Sequence, residues 1–165
     1  MNGHYIGEEE TALLKRLGDK LTKNKMLVGT AESCTGGRIA SLITSIPEIS
    51  DHYQGGIVSY SEDIKKKILG VSGDDIEKYG VVSRPVAEQM ASGASRTLEC
   101  SCAVATTGFA GPDGGSAETP VGTVCIAVVV EGKIHSKRFL FTGDRQEIVQ
   151  QSSYQALQML LDMLA

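Results

Sequence analysis

The passage from Met26 to Ile46 most limits the folds open to this chain. A short apolar run, Met26-Leu-Val-Gly-Thr30, has the length of a buried strand. Arg38 to Ile46 then places Ile39, Leu42, Ile43 and Ile46 at the spacings of one helix face. The intervening Ala31-Glu-Ser-Cys-Thr-Gly-Gly37 is therefore a strand-to-helix turn, a unit of α/β architecture. Such a turn gathers free N–H groups at the helix start, where unpaired donors and the positive end of the dipole stabilise an anion. Ser33 stands just ahead of them. It is placed to attack a carbonyl and hand the new oxyanion to those N–H groups, unless Ser33 or Thr35 merely caps the helix.

The remaining pattern extends the same architecture. Glu8 to Lys23 carries Leu13, Leu14, Leu17 and Leu21 on one helical stripe. After a connection from Glu48 to Gln54, Gly55 to Tyr60 reads as a second strand, and Ser61 caps a helix from Glu62 to Leu69. On that helix Ile64, Ile68 and Leu69 define an apolar face. Of its three consecutive lysines only Lys65 projects near the middle of that face, with Lys66 and Lys67 turned to solvent. Lys65 is either a snorkelling side chain or an amine desolvated enough to serve as a base. A polar helix from Gly73 to Tyr79 leads to Gly80-Val-Val-Ser83, and Ser83 caps a helix from Arg84 to Glu99. Its small-residue centre, Ala91 to Ser95, suits close packing against the sheet or a neighbouring subunit.

Cys102 to Thr107 is a third strand, and it runs into the glycine-rich Gly108-Phe-Ala-Gly-Pro-Asp-Gly-Gly115. Ligands in α/β sheets sit beyond the carboxyl ends of parallel strands, where this loop and the Ser33 turn would both lie. The loop matches no nucleotide-binding fingerprint and reads equally as a turn-rich connection. Pro120 to Val130 is nearly continuous apolar sequence, as in a strand covered on both faces. Glu131-Gly132 turns it into Lys133 to Phe141, an antiparallel neighbour that makes the sheet mixed. Asp144 caps the last helix, with Glu147 three residues on. Val149, Ser153, Ala156, Leu157, Leu160 and Leu164 form its buried side. Arg145 lies in the first turn, where the dipole disfavours a cation, so it either serves an anion or is simply solvated. The expectation is one domain: a three-layer α/β/α sandwich around a mixed sheet of about five strands.

Composition narrows the function. A net charge of −4 with scattered lysine and arginine gives no footprint for nucleic acid. No leader pattern or membrane-length apolar run occurs, so a cytoplasmic protein without a membrane partner is expected. The four cysteines lack framework spacing, and Cys100-x-Cys102 is too tight for a usual zinc pair. With His4, His52 and His135 far apart, neither metal nor disulfide is expected, and no organic cofactor is called for.

Six motifs stand in order: Ala31-Glu-Ser-Cys-Thr-Gly-Gly37; Ser59-Tyr60-Ser61 followed by Lys65; Gly80-Val-Val-Ser83; Thr107-Gly-Phe-Ala-Gly-Pro-Asp-Gly-Gly115; Pro120-Val-Gly-Thr123; and Gly143-Asp-Arg145. Together they resemble the CinA C-terminal domain family over nearly the whole chain. Members of known activity are nicotinamide-nucleotide amidohydrolases (NMN deamidases), and others are known only as competence or damage-inducible proteins. The resemblance implies hydrolysis of nicotinamide mononucleotide to nicotinate mononucleotide and ammonia, in pyridine-nucleotide recycling. It places the nucleophile at Ser33, its lysine partner at Lys65 and the accompanying tyrosine at Tyr60. Thr107 stands where some relatives have serine, which keeps a hydroxyl. The N-terminal pyrophosphatase domain of longer members has no counterpart in this sequence, and its activity is not expected.

The chemistry implied is proton removal from Ser33 by neutral Lys65, with the oxyanion held by N–H groups around Cys34, Thr35 and Gly36. Tyr60 orients Lys65 or donates to the oxyanion. Thr107, Gly108, Gly111, Asp113 and Gly114 admit the nucleotide closely, and Arg145 takes the phosphate. The partner is thus a small pyridine nucleotide, and apolar surface on the small-residue helix suits self-association into a homo-oligomer. Two rivals remain. One is a non-catalytic competence or damage-inducible binding module. The other, a phosphatase, needs metal-binding carboxylates, of which only Asp113 is well placed.

Overall fold

The computed structural model describes residues 7–164, so His4 and its neighbours in the first six residues lie outside the described residues. The elements are α1 (Glu8–Asn24), β1 (Val28–Glu32), α2 (Arg38–Thr44), β2 (Tyr53–Val58), α3 (Glu62–Leu69), α4 (Gly73–Tyr79), α5 (Arg84–Thr97), β3 (Cys102–Gly108), β4 (Thr123–Val130), β5 (Lys133–Leu140) and α6 (Arg145–Met163). The strands form one sheet in the order β2-β1-β3-β4-β5. β1 is parallel to both β2 and β3, and β4 and β5 extend the sheet antiparallel. Helices α1, α2 and α6 cover one face, and α3, α4 and α5 the other. This is the expected three-layer sandwich with a mixed sheet. No helix among the described residues is long and apolar enough to cross a membrane.

Several boundaries and faces differ from the expected ones for traceable reasons. β1 lies two residues later than its apolar run, because Ala31 and Glu32 keep pairing with β2 on one side and β3 on the other. β2 begins at Tyr53, and the expected connection before it contains a short 3-10 turn, Ile49–Asp51. Pro120 to Gly122 precede β4 as a turn held by the Gly122 N–H on the Phe109 carbonyl at 2.8 Å. Ile68 is exposed: α3 buries the i, i+4 pair Lys65 and Leu69 instead. On α6, Ile148 rather than Val149 is fully buried, and Ser153, Ala156, Leu157, Leu160 and Leu164 are buried as expected. The Ser61, Ser83 and Asp144 caps each accept a backbone N–H from the residue three positions on.

The two faces of the sheet are built to different depths. Val28, Cys102, Val104, Ile126 and Val128 meet α1, α2 and α6 with bulk, whereas Ala31, Ala103, Ala105 and Ala127 face α5. α5 answers with Ala87, Ala91 and Ala94, so little side-chain volume separates helix from sheet. Gly93, in the small-residue centre, touches the backbone of Leu69, and Arg96 and Thr97 donate to the carbonyls of Leu69 and Ile68. The small residues therefore dock α5 on the sheet and on the end of α3, which carries Lys65.

This contact generates a prediction. Alanine favours a helix over glycine by about 1 kcal/mol, but a Cβ at Gly93 would overlap the Leu69 carbonyl oxygen, and overpacking costs about 1–3 kcal/mol. Because the obstacle is backbone, the second effect wins. Gly93→Ala is expected to lower stability by about 1 kcal/mol net in urea unfolding; a gain would show that α3 and α5 part freely.

Candidate active site

The site begins where β1 ends, because strand alternation sends Glu32 and Ser33 to opposite faces. Glu32 enters the α2 side and is fully buried. Its Oε1 accepts from Thr35 Oγ1 at 2.6 Å and from Ile39 N at 2.8 Å, and its Oε2 from Ala40 N at 3.0 Å. Thr35 Oγ1 also meets Thr106 Oγ1 at 2.8 Å. The positive end of α2 is thus occupied by the protein's own carboxylate. That corrects the expectation that the helix start receives an oxyanion, and it shows that neither Ser33 nor Thr35 caps the helix, since its N-cap, Gly37, has no side-chain bond. The nearer N–H groups of Cys34 and Thr35 have no acceptor within the described residues. Glu32 escaped the sequence reading, although a carboxylate ending an otherwise apolar strand is itself a signal of a buried anchor.

Ser33 faces α3. Its N–H donates to the Thr106 carbonyl at 3.0 Å, which continues the β1 to β3 ladder and fixes its backbone. Lys65 Nζ lies 3.0 Å from Ser33 Oγ, 2.7 Å from the Ser59 carbonyl and 3.4 Å from the Tyr60 carbonyl. Lys65 is only 1 % exposed, so it does not snorkel. Burial pushes its ammonium below the usual lysine range; Cys34 and Glu62 oppose that shift. Burial also raises the Cys34 thiol to about 12, against a weaker lowering by its Thr106 hydrogen bond. The neighbouring sulfur is therefore a neutral thiol and a poor nucleophile near neutral pH.

Ser33, Cys34, Tyr60, Lys65, Thr107, Gly108, Gly111, Asp113 and Arg145 share one cavity of about 280 Å3, Tyr60 from its rim. The parallel pairing of β1 with β3 brings the glycine loop and the Ser33 turn to it together. Val81, Val82, Phe109 and Ala110 supply apolar wall, and Glu62 a further carboxylate; the sequence reading assigned none of these to the site. The Val81 and Val82 signal lay in the Gly80-Val-Val-Ser83 motif, which Thr107 Oγ1 secures by donating to the Val81 carbonyl at 2.9 Å. A larger hollow of about 830 Å3, between α1 and the connection after α2, contains none of the residues singled out for chemistry.

Not every expected residue converges. The Thr35 hydroxyl is committed to Glu32 and Thr106, and Thr35 and Gly36 border a separate groove beside α6. Gly114 packs below the Phe109 ring and does not line the cavity. Tyr60 is 64 % exposed, so its ring stands on the rim; its hydroxyl accepts from Arg145 Nη2 at 3.3 Å instead of meeting Lys65. Arg145 Nη1 donates to the Gly111 carbonyl at 2.6 Å and so ties α6 to the glycine loop across the mouth.

Comparison with known proteins shows the family and the fold. Residues 10–164 match the CinA C-terminal domain. The chain is similar to a CinA-like protein of Flavobacterium psychrophilum, 43% identical over 153 residues that cover 93% of this chain and 37% of that protein. A putative competence-damage inducible protein of Clostridium beijerinckii is 44% identical over 140 residues, 85% of this chain and 34% of that one. The chain thus spans about a third of the length of these curated relatives. Among solved structures, the competence/damage inducible protein CihA of Agrobacterium tumefaciens superposes with a TM-score of 0.93 at 38% identity, covering 97% of this chain and 98% of that one. The competence or damage-inducible protein of Enterobacter asburiae gives 0.92 at 33% identity, with 96% and 100% covered.

The Glu32 anchor is open to test. Hydrogen bonds to a charged group contribute about 1.5–3 kcal/mol each and are not additive. Glu32→Ala is expected to cost about 3 kcal/mol in denaturant unfolding, and Glu32→Gln about half of that, since the amide keeps one acceptor oxygen. A loss below about 1 kcal/mol for the alanine variant would show that the turn holds itself.

Proposed function

We propose that this chain, which belongs to the CinA C-terminal domain family, hydrolyses the carboxamide of nicotinamide mononucleotide by a serine-lysine mechanism. The observation that carries the reading is the 3.0 Å approach of a buried lysine amine to the hydroxyl of Ser33. Neutral Lys65 takes the Ser33 proton as Oγ bonds to the carboxamide carbon, and the free Cys34 and Thr35 N–H groups receive the oxyanion. Lys65 returns the proton to the leaving nitrogen, the C–N bond breaks, and ammonia departs. Water then gives a proton to Lys65 and its oxygen to the acyl carbon, and Ser33 leaves with that proton, freeing nicotinate mononucleotide. The apolar wall of Val81, Val82 and Phe109 suits a pyridine ring. Guanidinium donors of Arg145 at the mouth suit a phosphate. The cavity falls at the low end of the roughly 300–1,000 Å3 of small-ligand sites, which favours a mononucleotide over a dinucleotide.

A non-catalytic role in competence or the damage response takes its support from the names of the relatives. Ammonia release from nicotinamide mononucleotide separates the two readings. Ser33→Ala is expected to lose at least a thousandfold in kcat, while Cys34→Ala stays within a few fold because its thiol is not ionised. The reverse result would pass the nucleophile to sulfur. Lys65→Arg is expected to be inactive, since a guanidinium stays protonated. The sign of the pH dependence follows from the base form being the working one. Activity climbs with pH through the Lys65 ionisation, and that limb lies below the range of a free lysine because burial lowers it.

A further inference from the structure

Among the described residues, the side-chain hydroxyls of Ser59 and Thr123 are buried without a hydrogen-bond partner. Ser59 is the one that adjoins Lys65. Its carbonyl accepts from Nζ at 2.7 Å, and its N–H donates to the Glu32 carbonyl at 2.8 Å, so it continues the β2 ladder beyond Val58. Glu32 pairs with Val58, and one step further the register sets Ser59 beside Ser33 at a strand spacing of about 5 Å. By strand alternation both side chains take the α3 face. An idle, fully buried hydroxyl thus stands on the residue that holds the amine and beside the proposed nucleophile. Such an orphan is costly and calls for a reason.

We propose that Ser59 is a positioning residue for Lys65, its hydroxyl turning to accept a hydrogen bond from the ammonium formed when Lys65 takes the Ser33 proton. The inference rests on the serine-lysine reading above. A neutral amine has two N–H groups and one lone pair. The carbonyls of Ser59 and Tyr60 take the two hydrogens, the second at a long 3.4 Å, and the lone pair faces the Ser33 hydroxyl. When the Ser33 O–H bond breaks and Oγ bonds to carbon, Lys65 gains a third N–H, and Ser33 Oγ becomes a poor acceptor. The ammonium needs another acceptor until the leaving nitrogen takes that proton and the C–N bond breaks. A rotatable hydroxyl supplies it. It also keeps burial from making the lysine too weak a base to deprotonate a hydroxyl. The other charged or titratable groups around Lys65 are Glu62 on its own helix, Cys34 on the turn after β1, Tyr60, Asp113 and Arg145 at the cavity, and Arg96 of α5 at the end of α3. Substitution at Ser59 leaves all of them in place.

Ser59→Ala separates this role from a structural one, because deleting an unpaired hydroxyl removes no contact. The variant is expected to melt at or above the wild-type temperature. Its Lys65 ionisation, followed by NMR of the full chain with 13C-labelled lysine and assigned through Lys65→Arg, is expected to fall by about one pH unit in the Ser33→Ala background, where Oγ no longer accepts and the Ser59 hydroxyl is the third acceptor. With Ser33 intact, kcat for ammonia release should fall by roughly tenfold. If Ser59→Ala does not fold, Ser59→Cys decides, since a thiol fills the space but accepts weakly. An unmoved Lys65 ionisation in a folded variant overturns the inference. Should the wild type release no ammonia from nicotinamide mononucleotide, the functional reading falls, while the titration still decides whether Ser59 holds the ammonium.

Discussion

Taking an ammonium out of water costs several kcal/mol even after a protein relaxes around it, and Lys65 has lost almost all contact with solvent. Among the described residues no carboxylate bonds to its nitrogen; its partners are two carbonyls and a hydroxyl. Carbonyls stabilise the charged form and desolvation opposes it, and burial prevails far enough to hold the ammonium below the usual lysine range. A salt bridge at the same place would have held the charge. Instead an N-capped helix aims the side chain at the ends of β1 and β2, where backbone carbonyls are available.

The carboxylate that does lie near is kept on the other side of the sheet. Glu32 and Ser33 are consecutive, yet strand alternation sends one to α2 and the other to α3. Glu32 therefore fixes the turn through Thr35, Ile39 and Ala40 without reaching the amine by a hydrogen bond. This arrangement also neutralises the α2 dipole with an internal charge. The cationic group at the rim of the cavity is instead Arg145, tied to Gly111 and Tyr60.

Local patterns made much of this legible. Helical spacing placed Lys65 on the inner side of α3, and the strand-turn-helix passage put Ser33 at a strand end; neither needs a partner from elsewhere in the chain. What stayed hidden depends on pairing. The extension of β1 to Glu32 is imposed by β2 and β3, and Val81, Val82 and Phe109 become cavity wall only once separate loops meet. Ile68 failed as an apolar-face residue because α5 presses on the other edge of a helix only two turns long, and an eight-residue wheel does not register that choice. The Thr35 hydroxyl stays out of the cavity because it has a nearer claimant in a buried carboxylate that composition alone does not reveal.

The alanines that look featureless in the sequence bear on the chemistry through distance. If Ala31, Ala103, Ala105 and Ala127 were valines, the helix would stand further off, and α3, docked on α5 through Gly93, would move with it. A shift of an ångström at α3 would lengthen the contact between Lys65 and Ser33 beyond hydrogen-bond range, since that contact starts at 3.0 Å. Small residues at Ala31, Ala103, Ala105 and Ala127 therefore act on the site without touching it. Both faces carry a buried apolar cluster, and the bulkier packing on the α1, α2 and α6 face supplies burial that the alanines under α5 forgo.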